Sequence, residues 1–307
     1  MKAIKYIIEY LLGEENKDKA DNVCYGKRCD NQCLVWVKQT GFFDEGIFMT
    51  PKSMPLIPLK TINNIPILFG ESLITKENGQ IIIHADLIAS TFFLISRYEE
   101  CVRRDVRDEH GRFIGKESLP YKAGFLNRPI VEEYGALLRQ CLRDAGLDAK
   151  EPQPGFSHIY LTHDVDQIWT WDNYYRALRT VIRRCLKNEE DKLLPVKSVY
   201  NYKKYDPVYT FPELLKWDGE LKKKYAEKCQ DIYFMMGCEK KTTHDAGYFS
   251  NKKRTKDLTD YLIDSGAEIG IHTSYTAASN MDLFKSEVKN IEDLGAEKIT
   301  KVRNHYL

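Results

Sequence analysis

The sequence predicts an α/β chain in two domains: a mixed α+β domain over residues 1–150 and a parallel α/β sheet or barrel over residues 156–307. Three observations carry this reading. The chain has 307 residues, about two domains' worth of sequence. One Pro/Gly-rich stretch, KEPQPG at residues 150–155, interrupts it near the middle. Beyond that stretch, strand-like and helix-like runs alternate, the pattern of parallel strands joined by crossover helices.

In chain order, MKAIKYIIEYLLGEEN predicts an amphipathic helix. Glu9 breaks its apolar run and no small-residue cleavage site follows, so it does not read as a secretory leader. Residues 33–37, 65–69 and 80–84 are short runs rich in β-branched or aromatic side chains between turn formers, and predict strands. Residues 86–100 and 130–145 predict helices. The second follows Pro129 and stops at Gly146, and the stretch between the two predicts a loop. After the linker, residues 158–162, 232–236, 268–272 and 298–302 predict four strands. Helices at 255–265 and 283–294 each end in a glycine, Gly266 and Gly295. In such folds chemistry gathers at the carboxyl ends of the strands.

Composition narrows the function classes. Hydrophobic residues make up 43% and charged residues 30%, enough apolar material for two cores. The net charge of +1 is spread evenly over both halves, so no nucleic-acid partner is expected. No apolar run reaches the ~20 residues that span a bilayer, so a cytoplasmic protein without a membrane span is expected. Cys24, Cys29 and Cys33 cluster without a CxxC pair or a clear fourth ligand, and reduced thiols are expected there rather than structural zinc.

Three predicted strand ends carry unusual residues: Thr162-His163-Asp164-Val165-Asp166, Ile271-His272-Thr273-Ser274-Tyr275 and Arg303-Asn304-His305-Tyr306. Side chains alternate along a strand, so Asp164 and Asp166 share a side and His163 points away. One carboxylate can bind a divalent ion while the other stays beside it as a proton acceptor, with His272 adding an imidazole. Mixed Asp/His ligation suits zinc or a neighbouring first-row metal. Capping and loop anchoring would use the same residue types.

HDVD, GIHTSY and RNHYL, in that order, resemble the polysaccharide deacetylases of carbohydrate esterase family four. ADLIASTFFLISRYEE, DEHGRFIGKESLPYKAGFLNRPIVEEY and LTHDVD are similar to a bacterial subgroup with an uncharacterised N-terminal domain. The resemblance implies a distorted (β/α) barrel, here a partial one preceded by the mixed α+β domain. It also implies removal of acetyl groups from N- or O-acetylated sugars of a polysaccharide with a divalent metal, zinc first among them. By the same resemblance Asp164 is the general base, Asp166 and His272 are metal ligands, and Arg303 orients the base. The family's second ligand histidine falls on Thr276. His305 is therefore the expected third ligand, with a water held by Thr276 or the ring of His163 as alternatives.

The family's general acid is a late histidine beyond residue 307. Together with the count of only four strands, this leads one to expect an incomplete barrel with little activity by itself. A compact variant with a covered sheet edge is the alternative. A carbohydrate-binding or assembly module that keeps the fold without catalysis is the alternative function. The aromatic run at 168–175, IWTWDNYY, could supply platforms for sugar faces, but packing is the expected role. Lys222-Lys223-Lys224 and Lys252-Lys253-Arg254 are expected to be solvated faces.

Overall fold

The computed structural model describes residues 2–26, 33–153, 155–225 and 228–306. The chain divides into two compact units, Met1–Pro154 and Gly155–Leu307. The first unit runs through α1 (Lys2–Leu12), β1 (Val23–Tyr25), β2 (Val35–Val37), β3 (Lys60–Ile62), β4 (Ile65–Ile67), β5 (Gly70–Glu77) and β6 (Gln80–Ala85). It continues with α2 (Leu87–Ile95), α3 (Tyr98–Val102), α4 (Leu119–Lys122) and α5 (Ile130–Asp144).

Its main sheet has the order β1-β2-β6-β5, parallel from β1 to β6 and antiparallel between β6 and β5. Ile81, Ile82 and Ile83 of β6 are all buried, as a strand covered on both faces requires. α1 presents Ile4, Ile7, Ile8 and Leu11 at helical spacing to the core. A Cβ at Gly135 of α5 would lie 2.6 Å from the Leu11 carbonyl oxygen, so glycine there lets the two helices close up. Arg139, 2% exposed, donates to that same carbonyl at 2.7 Å and pairs with Glu132 and Glu151.

Several expectations for this unit need correction. The helix expected over 86–100 is two helices, broken where Arg97 takes a positive φ of 53°. The stretch read as a loop contains α4. Cys24 and Cys33, expected as reduced thiols, are joined in a disulfide. Pairing of β1 with β2 in the register Val23–Val35 brings their Cα atoms to 5.8 Å, within disulfide range. Cys29 lies outside the described residues.

The second unit runs through β7 (Ile159–Val165), α6 (Tyr174–Leu186), α7 (Leu194–Tyr200), α8 (Tyr202–Tyr205), α9 (Phe211–Tyr225) and β8 (Cys229–Met235). α10 (Lys252–Asp264), β9 (Glu268–Thr273), α11 (Met281–Glu292) and β10 (Val302–Asn304) follow. The four strands form one wholly parallel sheet in the order β10-β9-β8-β7. Tyr233, Met235, Ile269 and Ile271 of the two central strands pack with Leu258 and Leu262 of α10 and Ile291 of α11.

The expected partial (β/α) barrel of the deacetylase type is thereby corrected. What forms is a mixed α/β chain whose second unit holds an open four-stranded parallel sheet. Each strand pairs with its sequence neighbour, and among the described residues nothing joins β10 back to β7, so both remain edges. In the first unit, three of the four strands of the main sheet run parallel. Among the described residues no helix is long and apolar enough to cross a membrane.

Candidate metal centre

The centre sits at the carboxyl end of the second sheet, where a twofold side-chain period and parallel pairing select which groups meet. On β7, His163 turns to one face, where its Nε2 lies 2.8 Å from Asp218 Oδ2 of α9 and its ring stacks on Tyr233. Thr162 and Asp164 turn to the other. Phe234 of β8 stands in register with Asp164, and Gly270 of β9 with Phe234. Arg303 of β10 stands in register with His272.

These registers let Arg303 reach across the sheet. A Cβ at Gly270 would meet the Phe234 ring at 2.6 Å, so the bare glycine makes room for that ring. The guanidinium lies 4.6 Å from the ring centroid and donates to Asp164 Oδ1 at 2.9 Å and to Thr162 Oγ1 at 3.1 Å. Asp164 Oδ2 accepts no hydrogen bond among the described residues.

Asp166, one residue beyond β7, faces two imidazoles. His272 Nε2 lies 3.2 Å from Asp166 Oδ1, and His305 Nε2 lies 3.6 Å from the same oxygen. One donor atom from each of the three residues falls within 4.8 Å of the others. The far nitrogen of each ring is already engaged. His272 Nδ1 lies 3.0 Å from the Arg303 carbonyl oxygen, which can only accept, so Nδ1 carries a proton. His305 Nδ1 lies 3.1 Å from Oδ1 of Asp245, whose side chain is 3% exposed.

Asp245 is in turn fixed by the Tyr275 N–H at 2.9 Å and the Thr242 hydroxyl at 2.8 Å. Both imidazoles therefore turn Nε2 toward Asp166. Metal-binding histidines are held in this way, with the outer nitrogen on a carbonyl or carboxylate.

The electrostatics fit the same donor set. Burial of the His272 ring lowers its pKa. The hydrogen bonds to Asp166 and the Arg303 carbonyl, with the charges of Asp164 and Asp166, outweigh burial and leave it above the ordinary value. The hydrogen bond from His272 holds Asp166 below the usual carboxylate value, against partial burial and with help from the charges of His272 and His305. His272 Nε2 and the Asp166 carboxylate thus face each other across the position that a divalent cation would take.

Of the residues singled out from sequence, Asp166, His272 and His305 converge, with Asp164 and Arg303 paired beside them. His163 does not join them. Thr276 is exposed and lines a separate cavity of about 360 Å³ with Asp245 and Glu287. In the aromatic run, Trp169 and Trp171 are buried in packing while Tyr174 and Tyr175 are exposed. Lys222 pairs with Asp231, and Arg254 lies over the Trp169 and Tyr202 rings. Sequence reading missed Asp245 and the cluster in which His244 stacks on Tyr275 at 4.2 Å and Tyr306 meets both edge-on. The available signal for Asp245 was Thr242-x-x-Asp245, a turn that folds a carboxylate back on its own loop.

No curated protein and no solved structure matches the chain. Residues 3–146, the greater part of the first unit, match a family of unknown function, DUF7033.

Proposed function

We propose that the second unit is a metal-dependent hydrolase that removes acetyl groups from N- or O-acetylated sugars of a bacterial polysaccharide, with zinc as its metal. The observation that carries this reading is the convergence of Asp166, His272 and His305, with the Asp164–Arg303 pair beside it. The resemblance of HDVD, GIHTSY and RNHYL to polysaccharide deacetylases supports the choice of substrate. The five cysteines that are free among the described residues support a reducing, cytoplasmic setting, with the Cys24–Cys33 disulfide as the exception.

Asp166, His272 and His305 would hold the ion, three protein ligands with a further position open. A bound divalent ion would supply polarisation of an acetyl carbonyl and a lowered pKa for a water at that position. Asp164 would take the proton of the attacking water through Oδ2, the oxygen that Arg303 leaves free. Arg303 fixes the direction of that carboxylate by binding Oδ1 and resting on Phe234. Asp245 and the Arg303 carbonyl keep the two imidazoles turned inward.

The test is acetate release by the zinc-loaded chain from a panel of N- and O-acetylated oligosaccharides. Asp164→Ala should keep the metal and lose about 10²–10⁴ in rate, the usual worth of a general base. Bound zinc with sugar binding but no acetate release across the panel would replace this reading with that of a binding module.

A further inference from the structure

Away from the metal centre, α6 leaves one of its faces uncovered. Tyr174, Leu178, Ile182 and Leu186, spaced by four residues, are 51%, 54%, 62% and 84% exposed. At that spacing they form a single stripe along the helix, whose opposite side packs through Ala177 beside Trp171 and Val199. Isolated exposed apolar side chains are ordinary, but a continuous stripe of four on one helix is not. Leu193 and Tyr200, 60% and 80% exposed, follow in the next turn and helix.

The charges bordering the stripe are of one sign. α6 carries Arg176, Arg179, Arg183 and Arg184 and no acidic residue. Arg176 pairs with Asp172 and Arg184 with Glu189, whereas Arg179 and Arg183 are exposed and have no ion-pair partner among the described residues. Residues 174–205 hold nine basic side chains against three acidic, in a chain whose net charge is only +1. The basic character is therefore local to this segment.

We propose that this face of α6 docks on an anionic membrane surface, lying in the interface without crossing it. The apolar stripe would enter the boundary between headgroups and acyl chains. Arg179 and Arg183, at its border, would sit at the level of the lipid phosphates, as in interfacial basic amphipathic helices. A second copy of the same face is a poor occupant, because it would bring two sets of unpaired arginines together. This proposal is independent of what the metal centre does.

The test is co-sedimentation of the full chain with phosphatidylcholine vesicles, with and without phosphatidylglycerol. The chain should bind the anionic vesicles about tenfold more than the neutral ones, and high salt should weaken that binding. Ile182→Glu with Leu186→Glu, and separately Arg179→Glu with Arg183→Glu, should each reduce binding to anionic vesicles about tenfold. All four positions are exposed, so neither variant disturbs packing. Binding that ignores lipid charge, or that survives both variants, overturns the proposal. So does a concentration-dependent dimer in sedimentation velocity that either variant dissolves.

Discussion

Each unit ends a parallel strand on an aspartate, and the two carboxylates have opposite surroundings. Asp86, after β6, is fully buried and accepts from the Thr40 N–H and hydroxyl, the Tyr25 hydroxyl and the Ala89 N–H, at 2.9, 2.9, 3.1 and 2.9 Å. Burial pushes its pKa up, and the four donors pull against that. Asp166, after β7, keeps a side chain 59% exposed and faces two imidazoles whose outer nitrogens are already engaged. A strand-end carboxylate whose lone pairs are filled by backbone and hydroxyl donors holds the fold together. One that faces imidazole nitrogens with solvent access is available to a cation.

Replacing each aspartate in turn is the sharpest way to break this comparison. Asp86→Ala leaves four donor groups around a buried site without their acceptor, among them the Ala89 N–H that Asp86 caps at the start of α2. It should destabilise the first unit by about 4 kcal/mol, read from guanidinium unfolding. Asp166→Ala should shift stability by no more than about 1 kcal/mol. The same change should weaken zinc binding by about 100-fold or more in calorimetric titration, since it removes one of three ligands. If Asp166→Ala unfolds the chain while Asp86→Ala does not, the comparison is reversed.

Asp245→Asn tests the support behind the centre with a smaller effect. It keeps the shape of the side chain but weakens its hold on the His305 ring, and should cost about 10- to 100-fold in zinc affinity.

The His272–Asp166 pair should also make the metal-free chain's stability depend on pH. His272 has a raised pKa in the folded chain, so its contribution is fully present below the ordinary histidine value and fades as pH rises through the raised one. Asp166 has a lowered pKa, so its share is present above the ordinary carboxylate value and fades as pH falls through the lowered one. The stability difference between the native chain and His272→Gln should therefore be largest in mild acid and shrink toward alkaline pH. A difference that grows with pH would contradict the pairing.

His163→Ala should have the smallest effect. It removes a partner of Asp218, which keeps the Tyr233 hydroxyl at 3.2 Å, and should cost about 1 kcal/mol of stability with zinc affinity unchanged.

What could be read from the sequence was what is local. Alternation along β7 separates His163 from Thr162 and Asp164, because a period of two follows from the strand itself. The ends of α5 at Pro129 and near Gly146 are likewise set by the chain's own stereochemistry. Barrel closure is not local. The strand–helix alternation fixes parallel neighbours but says nothing about whether a first and a last strand meet.

The Cys24–Cys33 disulfide was hidden for a related reason. β1 is only three residues long, and without it nothing in the sequence brings those two residues together. β5, GESLITKE, is mostly exposed at an edge and carries no alternating apolar pattern to read. Asp245 lies in a loop without periodicity, and only the fold shows that it backs His305.

The central claim is that Asp166, His272 and His305 share one divalent ion. Anomalous diffraction at the zinc edge from zinc-loaded crystals tests it most directly. The account predicts one zinc per chain, about 2.0–2.2 Å from Asp166 and from the Nε2 atoms of His272 and His305, with Nδ1 of His305 still on Asp245. Zinc bound at other side chains, or no zinc peak between these three residues at saturating metal, would contradict it.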